Sequence, residues 1–502
     1  MKRSTLNNSL SAIILQVVIA ISGIILPKLL IDNYGSSING MISSVTQFIG
    51  YLALVEAGVG NVSIVKLYKP LAENNISEVN GILSATNKYY KKSGVIFVLL
   101  VGLLLVFYPP LINDQLDNSL IVWMIIILSM SSAFDYFFLG KYRVLLTSDQ
   151  KIYVLNYIQC LGTFLNIVIT ILLVYLNQSI LVVKLWATII YVMRIIIIYI
   201  YIKTRYKYLD LAVEPLTDRL NDKWSVLSHQ IAGMVVLNTG LIVLTLFHVP
   251  LTEISVFSIY NMIVNVIIGL LNALLSSLTP IFGKMHVTHS YENFKENYML
   301  YEFYFYILTF TLFTCLIVLF LPFLKMYTIN FEGVNYIRNY LVLGFSAFGL
   351  IYMIRTPVVT IINSVGHYQQ TKNGAFIEAG INIFVSVISV GKFGVFGIVL
   401  ANICSHLFRT IELIIYTNKN IVIGTIKSTL FRIIRNLFLL IVLVYIFNRL
   451  ISFTEISMIS WVIKAGLIFV SAFFSFLIYN IIFEKKYICI INELVKNIIR
   501  RK

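Results

Sequence analysis

Charge is what this sequence has least of. Charged residues make up 12% of the 502-residue chain, where a soluble globular domain carries roughly 25%. With 59% hydrophobic residues and a mean hydropathy of +0.88, too little polar surface exists to cover a water-facing exterior. That excludes a soluble enzyme, a nucleic-acid-binding domain and a secreted disulfide scaffold. Cysteine is almost as scarce. Of four, Cys160, Cys315 and Cys404 lie in apolar runs and Cys489 in a basic tail, with no spacing suited to a metal set or a redox pair. They read as small apolar fillers. No GxxxxGK[ST] phosphate cradle occurs, and no loop is long enough to fold as a catalytic domain. The chain is therefore read as a non-enzyme that needs no bound cofactor and is not driven by ATP. Nor does the start read as a cleaved leader, because the apolar segment after Arg3 runs on past Pro27 without a small-residue cleavage site.

What is present is a series of long apolar runs. A hydrocarbon core about 30 Å thick takes roughly 20 residues of helix. Fourteen runs of that order occur, over residues 10–31, 39–62, 93–112, 119–139, 152–176, 181–202, 225–247, 254–281, 299–324, 338–362, 373–390, 395–416, 433–451 and 458–483. They are numbered here as spans 1 to 14. Spans 5 and 6, and spans 11 and 12, are separated by very short turns. The fold class is an all-α polytopic membrane protein.

The net charge of +16 then has a topological meaning. With the N-terminus in the cytoplasm, 28 Lys and Arg fall in inner segments and three (Lys325, Arg338, Lys392) in outer loops. That bias places both termini in the cytoplasm. The cations belong to membrane topology, so nucleic acid is not an expected partner and membrane lipids are.

A weak internal repeat runs through the spans. Span 1 ends at Pro27 and leads into the Ser-rich span 2; span 7 leads through Pro250 into span 8, rich in Ser and Asn. Ile158-Gln159 likewise matches Ile377-Glu378, and the offset is roughly 213–219 residues. A six-helix repeat is even, so its copies share one orientation and are related by an axis along the membrane normal. The expected domains are an N-terminal lobe at 1–202, a cytoplasmic linker at 203–224, a C-terminal lobe at 225–416, two extra helices at 417–483 and a basic tail at 484–502. Two parallel lobes with a cleft between them suit alternating access.

Ionisable residues inside spans are functional candidates by default, since each costs on the order of 2.5–3.5 kcal/mol to insert. Lys28, Lys184 and Arg449 lie near outer ends, within snorkelling reach of the interface, and Asp135 and Glu302 near inner ends. Arg355 lies two turns inside span 10, beside Pro357, which frees backbone groups and opens the helix. Glu56 has a comparable depth in span 2, followed by Gly58 and Gly60, which permit close approach. Arg194 is two turns deep in span 6, and Glu378 lies early in span 11 with Asn382 one turn on. Arg409 and Glu412, three apart in span 12, form a candidate ion pair. The proposed substrate-contacting set is Arg355, Glu56, Lys28, Arg194, Glu378 and Asn382. A guanidinium that cannot be deprotonated suits phosphate or pyrophosphate. A drug-cation pump would want acids without competing cations.

Particular strings carry a family resemblance. Pro27-Lys-Leu-Leu-Ile-Asp-Asn-Tyr-Gly-Ser-Ser-Ile-Asn-Gly40, Gln47-Phe-Ile-Gly50, Leu54-Val-Glu-Ala-Gly-Val-Gly60 and Leu67-Tyr-Lys-Pro-Leu-Ala-Glu73 resemble the opening of bacterial polysaccharide flippases. These are the O-antigen or repeat-unit translocases of the multidrug/oligosaccharidyl-lipid/polysaccharide (MOP) exporter superfamily. Ile354-Arg-Thr-Pro357, Gly366-His-Tyr-Gln369, Phe376-Ile-Glu-Ala-Gly-Ile-Asn382 and Gly394-Val-Phe-Gly397 resemble the same family's spans 10 to 12. The resemblance implies two six-helix lobes in a V, with a cavity lined largely by spans 1, 2, 7 and 8. It also implies a bacterial plasma-membrane protein that flips undecaprenyl-pyrophosphate-linked oligosaccharide repeat units to the outer leaflet for cell-surface polysaccharide assembly. A polysaccharide polymerase and glycosyltransferases of the same pathway would be its partners. In such flippases cavity arginines hold the pyrophosphate. Here spans 7 and 8 carry no Arg or Lys, only His229, His248, Asn238, Asn261, Asn265 and Asn272. Arg355 and Lys28 would then have to substitute. The alternative is a multidrug or metabolite antiporter of the same superfamily, coupled to a proton or sodium gradient through Glu56, Glu378 or Glu412.

Overall fold

The computed structural model describes residues 2–56, 58–112, 114–217, 239–275, 278–451 and 457–485. Among them every regular element is helical, and thirteen helices are long and apolar enough to cross a membrane. This is a polytopic all-α membrane protein. The thirteen correspond to spans 1–6 and 8–14. Span 7 falls mostly on 218–238, with His229 and Asn238, outside the described residues; only its end, 239–246, is seen as helix. The short turns predicted between spans 5 and 6 and between spans 11 and 12 are present, the helices being Ile152–Tyr175 and Ile180–Arg205, then Tyr368–Phe393 and Val395–Asn420.

Two helices overrun their apolar runs. Span 3 is Ile76–Phe107 and span 9 is Tyr291–Tyr327, of 32 and 37 residues. At 1.5 Å per residue they reach roughly 48 and 55 Å, well beyond the hydrocarbon. Their N-terminal turns carry Lys88, Lys91 and Lys92, or Glu292, Lys295 and Glu296, and so suit the headgroup region. Asn75 and Ser290 cap them by accepting from the Glu78 and Asn293 amides.

Three other spans are interrupted, each at an ionisable residue. Span 2 is α-helical only over Ser36–Leu52 and ends in a 3-10 turn, Ala53–Glu56. Span 4 runs to Ser148 through one π-helical stretch at Asp135–Leu139, so that Arg143, expected in a loop, lies on the helix. Span 10 breaks at Arg355 into Asn339–Ile354 and Thr356–Val365, where Pro357 removes a donor. Backbone freed at such a break must find partners in protein or in a cavity, because lipid offers none.

The chain forms two compact units. The first holds residues up to Leu274 with 331–334 and 375–401; the second holds 275–330, 335–374 and 402 onward. In the first, span 1 packs on span 5, and span 6 on spans 4 and 5. A polar seam joins span 2 to residues 239–275. Asn39 donates to Ser255 Oγ at 2.8 Å and Ser258 Oγ at 3.2 Å, 216 and 219 residues further on. Those separations are of the same size as the offset read from the sequence. Ser44 pairs with Thr245 at 2.6 Å and Tyr51 with Thr239 at 2.5 Å. The backbones touch beside Gly40, where an added Cβ would stand 1.8 Å from the Leu251 carbonyl oxygen. In the second unit, span 9 packs against spans 10, 13 and 14.

Gly40→Ala tests the seam. Overpacking against backbone costs about 1–3 kcal/mol, so this variant should melt several degrees below wild type in detergent. Gly23→Ala, where a Cβ meets nothing within 4 Å, should melt at or slightly above it. Equal melting of the two variants would show that the helices do not approach this closely.

Candidate functional site

Glu56 does not sit within a continuous helix, as its apolar surroundings suggested, but in the closing 3-10 turn of span 2. There Tyr90 of span 3 donates to its Oε1 at 2.6 Å. Gly60 makes room for this contact, since a Cβ would lie 2.8 Å from the Tyr90 hydroxyl. Tyr136 donates to the Ala53 carbonyl of the same turn at 2.7 Å, satisfying one acceptor that the break releases. Next to it, Asp135 accepts from Arg143 and, at 3.0 Å, from the Tyr191 hydroxyl. These partners were missed because Asp135 read as an interfacial residue and Arg143 as a loop cation. Their eight-residue separation, two helical turns on one face, was the available signal.

Arg194 lies in a cavity of about 190 Å³ among spans 4, 5 and 6. Its guanidinium stacks over the Tyr191 ring at 5.1 Å, and its Cδ occupies the space that a Cβ on Gly162 would fill at 2.3 Å. Lys184 shares the cavity wall, with Asn166, Thr163 and Ser131. Lys184 was expected to reach for the interface; the structure aims it inward instead.

The remaining candidates of this unit lie on spans 1 and 11. Lys28 pairs with Asp32 at 3.3 Å and lies 5.4 Å from the Phe331 ring centre. Glu378 and Asn382 are both buried, 5% and 1% exposed, one turn apart on span 11.

In the second unit, Arg355 occupies the break of span 10 and stacks on Tyr352 at 4.6 Å. The other side of this cluster is the buried imidazole of His406, 5.3 Å from the Tyr352 ring. Arg409 bonds Glu412 at 2.5 Å and the Thr371 carbonyl at 3.0 Å, over the bare backbone of Gly374. Of the eight candidates, Arg409 and Glu412 are thus brought into contact.

A larger network was missed altogether. Arg432, fully buried on span 13, donates to Glu302 Oε2 at 2.8 Å, to the Met299 carbonyl at 3.0 Å and to Glu484 at 2.5–3.2 Å. Arg435 adds a bond to Glu484 at 2.9 Å and another to Asn480. Tyr298 and Thr429 complete the Glu302 carboxylate at 3.0 and 2.8 Å. The network fastens spans 13 and 14 to span 9. Sequence reading counted Arg432 and Arg435 with the inner-segment cations at the edge of an apolar run, whereas the helix starts already at Ile426. No cluster of His, Cys, Asp or Glu suited to a metal ion occurs among the described residues. Cys160, Cys315 and Cys404 are free thiols.

Glu484 lies just beyond the last described span. Burial pushes its carboxyl up, but hydrogen bonds and charge from Arg432 and Arg435 outweigh this and hold it below its ordinary 4.5. Its folded value is below the unfolded one, so its stabilisation is complete above pH 4.5 and is lost as pH falls through the depressed value. Glu484→Gln should therefore melt well below wild type at neutral pH, and the gap should close on acidification past 4.5. A gap independent of pH would assign the loss to packing alone.

With this geometry in view, the solved structures it resembles can be stated. The lipid II flippase MurJ, in an inward closed conformation, matches at TM-score 0.67 and 17% identity, over 96% of this chain and 99% of that one. An inward-facing multidrug resistance MATE family transporter of the MOP superfamily matches at 0.63 and 16%, over 85% and 96%. A MATE structure in complex with MaL6 matches at 0.59 and 14%, over 85% and 97%. The fold is therefore that of solved MOP transporters. No known family profile matches the chain, and no curated protein does.

Proposed function

We propose that the protein is a flippase, moving undecaprenyl-pyrophosphate-linked oligosaccharide repeat units from the inner to the outer leaflet for cell-surface polysaccharide assembly. The observation that carries this reading is the state of the intramembrane charges. Four of the acids set in the spans are occupied by protein donors: Glu56 by Tyr90, Asp135 by Arg143, Glu302 by Arg432 and Glu412 by Arg409. An organic cation would need a carboxylate that is not so engaged. Arg194 and Lys184, by contrast, face a cavity with no acid in its wall. That surplus of positive charge favours a substrate carrying phosphate.

The fold supports the same direction. The match to the lipid II flippase extends over 96% of the chain, whereas the multidrug transporters match 85%. The uncovered 15% is comparable in length to the segment from Ile426 onward. Alternating access would run between the two six-helix lobes at 1–202 and 225–416, with the seam of Asn39, Ser44 and Tyr51 closing one end of the pathway. Coupling to a proton or sodium gradient would pass through Glu56 or Glu378. A glycosyltransferase would supply the lipid-linked unit on the inner face and a polymerase consume it outside.

The test uses sealed cells depleted of the protein and a sugar-specific label that cannot cross the bilayer. Lipid-linked glycan should accumulate and be labelled only after lysis. An unchanged outer pool with new sensitivity to organic cations would instead make the protein a drug antiporter. On complementation, Arg355→Ala should abolish export while reaching the membrane, and Arg355→Lys should restore part of it. Wild-type export by Arg355→Ala would reduce Arg355 to a packing residue.

A further inference from the structure

We propose that the cavity among spans 4, 5 and 6 is a binding site for a phosphoryl oxyanion, held by the Arg194 guanidinium, with Lys184 adding positive charge further along the wall. It rests on the same two cations that favour a phosphate-bearing substrate above, whereas Arg355 belongs to the other compact unit. The first argument is charge. The wall contains these two cations and no carboxylate, and neither cation makes an ion pair with a described residue. Asp135 comes near enough to accept from Tyr191, but Arg143 already neutralises it. Two positive charges in a medium of low dielectric call for a negative partner that the lining does not supply.

The second argument is the state of Arg194 itself. Its Nε is buried and has no hydrogen-bond partner among the described residues. A buried donor of this kind is expensive unless a ligand answers it. The position is nevertheless built for the arginine. Gly162 leaves space for its Cδ, and the Tyr191 ring, anchored through its hydroxyl to Asp135, lies under the guanidinium. An accidental cation would snorkel out; this one is held.

Shape and donors then select the anion. About 190 Å³ is several times the roughly 30 Å³ share of one water, enough for a tetrahedral phosphoryl group with attendant water. A guanidinium fork matches two oxygens of such a group, where a halide would use only one contact. Asn166, Thr163 and Ser131 place an amide and two hydroxyls on the same wall for the remaining oxygens. Along the helix, Lys184 and Arg194 are ten residues apart, roughly 15 Å of rise. Both side chains lean toward the helix N-terminus, so that rise separates their charged ends too, and Lys184 is a second cation further along the same wall. Inorganic phosphate and the phosphate of a lipid headgroup share this chemistry.

The experiment measures melting of the purified full-length protein in detergent, exchanged into phosphate-free buffer. There Arg194→Gln should melt at or above wild type, because it removes an unanswered charge. Added inorganic phosphate should raise wild type by several degrees in a saturable way, and reverse that order. Arg194→Gln should weaken the apparent affinity by roughly tenfold or more, and Lys184→Gln, further along the wall, by less. Gly162→Ala keeps both charges but displaces the guanidinium, and should weaken it as well. Arg355→Gln should respond as wild type does, which separates this site from the proposed transport site.

A second arm adds undecaprenyl phosphate or phosphatidylglycerol and counts bound lipid by native mass spectrometry. Binding that is lost in Arg194→Gln identifies a headgroup as the occupant, while protection by inorganic phosphate alone identifies the free anion. The same shift in wild type and in the Arg194→Gln, Lys184→Gln double variant overturns the proposal. Equal saturable protection by chloride overturns it too, in favour of a halide.

Discussion

A charge inside hydrocarbon has to be answered, and most of what is distinctive in this chain follows from how each one is. Water is absent at that depth, so an ionised side chain needs a counter-charge, a set of hydrogen bonds or a ligand. Glu302 has the first two at once: a guanidinium on one oxygen and two hydroxyls on the other. Glu56 takes a phenol. Asp135 takes an arginine two turns along its own helix and a tyrosine from another. Removing one member of such a set strands the rest, and stranding a buried charge costs about 3–5 kcal/mol. The polar sets are therefore as restrictive as the apolar packing around them.

Backbone obeys the same rule. The interruptions at Glu56, Asp135 and Arg355 release carbonyls and amides that lipid cannot satisfy. At the first, Tyr136 bonds the Ala53 carbonyl. At the third, Tyr306 of span 9 bonds the Ile354 carbonyl at 3.2 Å. A tyrosine can do this because its body is apolar and only its tip needs a partner. That use accounts for part of the chain's 31 tyrosines.

The spans were legible because hydropathy is a local property. Each apolar run reports its own helix, and thirteen of the fourteen fall on described helices. The breaks were partly legible: Pro357 announced the one at Arg355, while nothing local announced the π stretch at Asp135. The partners were not. Glu302 and Arg432 are 130 residues apart and meet only because spans 9 and 13 are neighbours. Hydropathy also misplaced the cations at span ends. An arginine just outside an apolar run looks solvated, yet Arg432 and Arg143 sit on helices that continue past the run. Lys184 shows the opposite failure. One turn from a helix end, it could reach water, but its direction around the helix axis sends it into the cavity with Arg194.

Two kinds of intramembrane charge result, and they do different work. The Glu302, Arg432, Arg435 and Glu484 set is closed on its acids, each carboxylate oxygen being matched by a donor from another helix, while Arg435 Nε and Nη1 stay buried without a hydrogen-bond partner among the described residues. A closed set resists rearrangement, because any relative movement of spans 9, 13 and 14 would expose a charge. It suits helices that must travel together. The Arg194 and Lys184 pair is open: its counter-charge is not in the wall. An open pair is inherently conditional, since its energy depends on what enters the cavity. A protein whose equilibrium between states is to respond to a ligand needs groups that the ligand alone can satisfy. On that ground the closed network reads as framework and the open cavity as the part able to sense an anion.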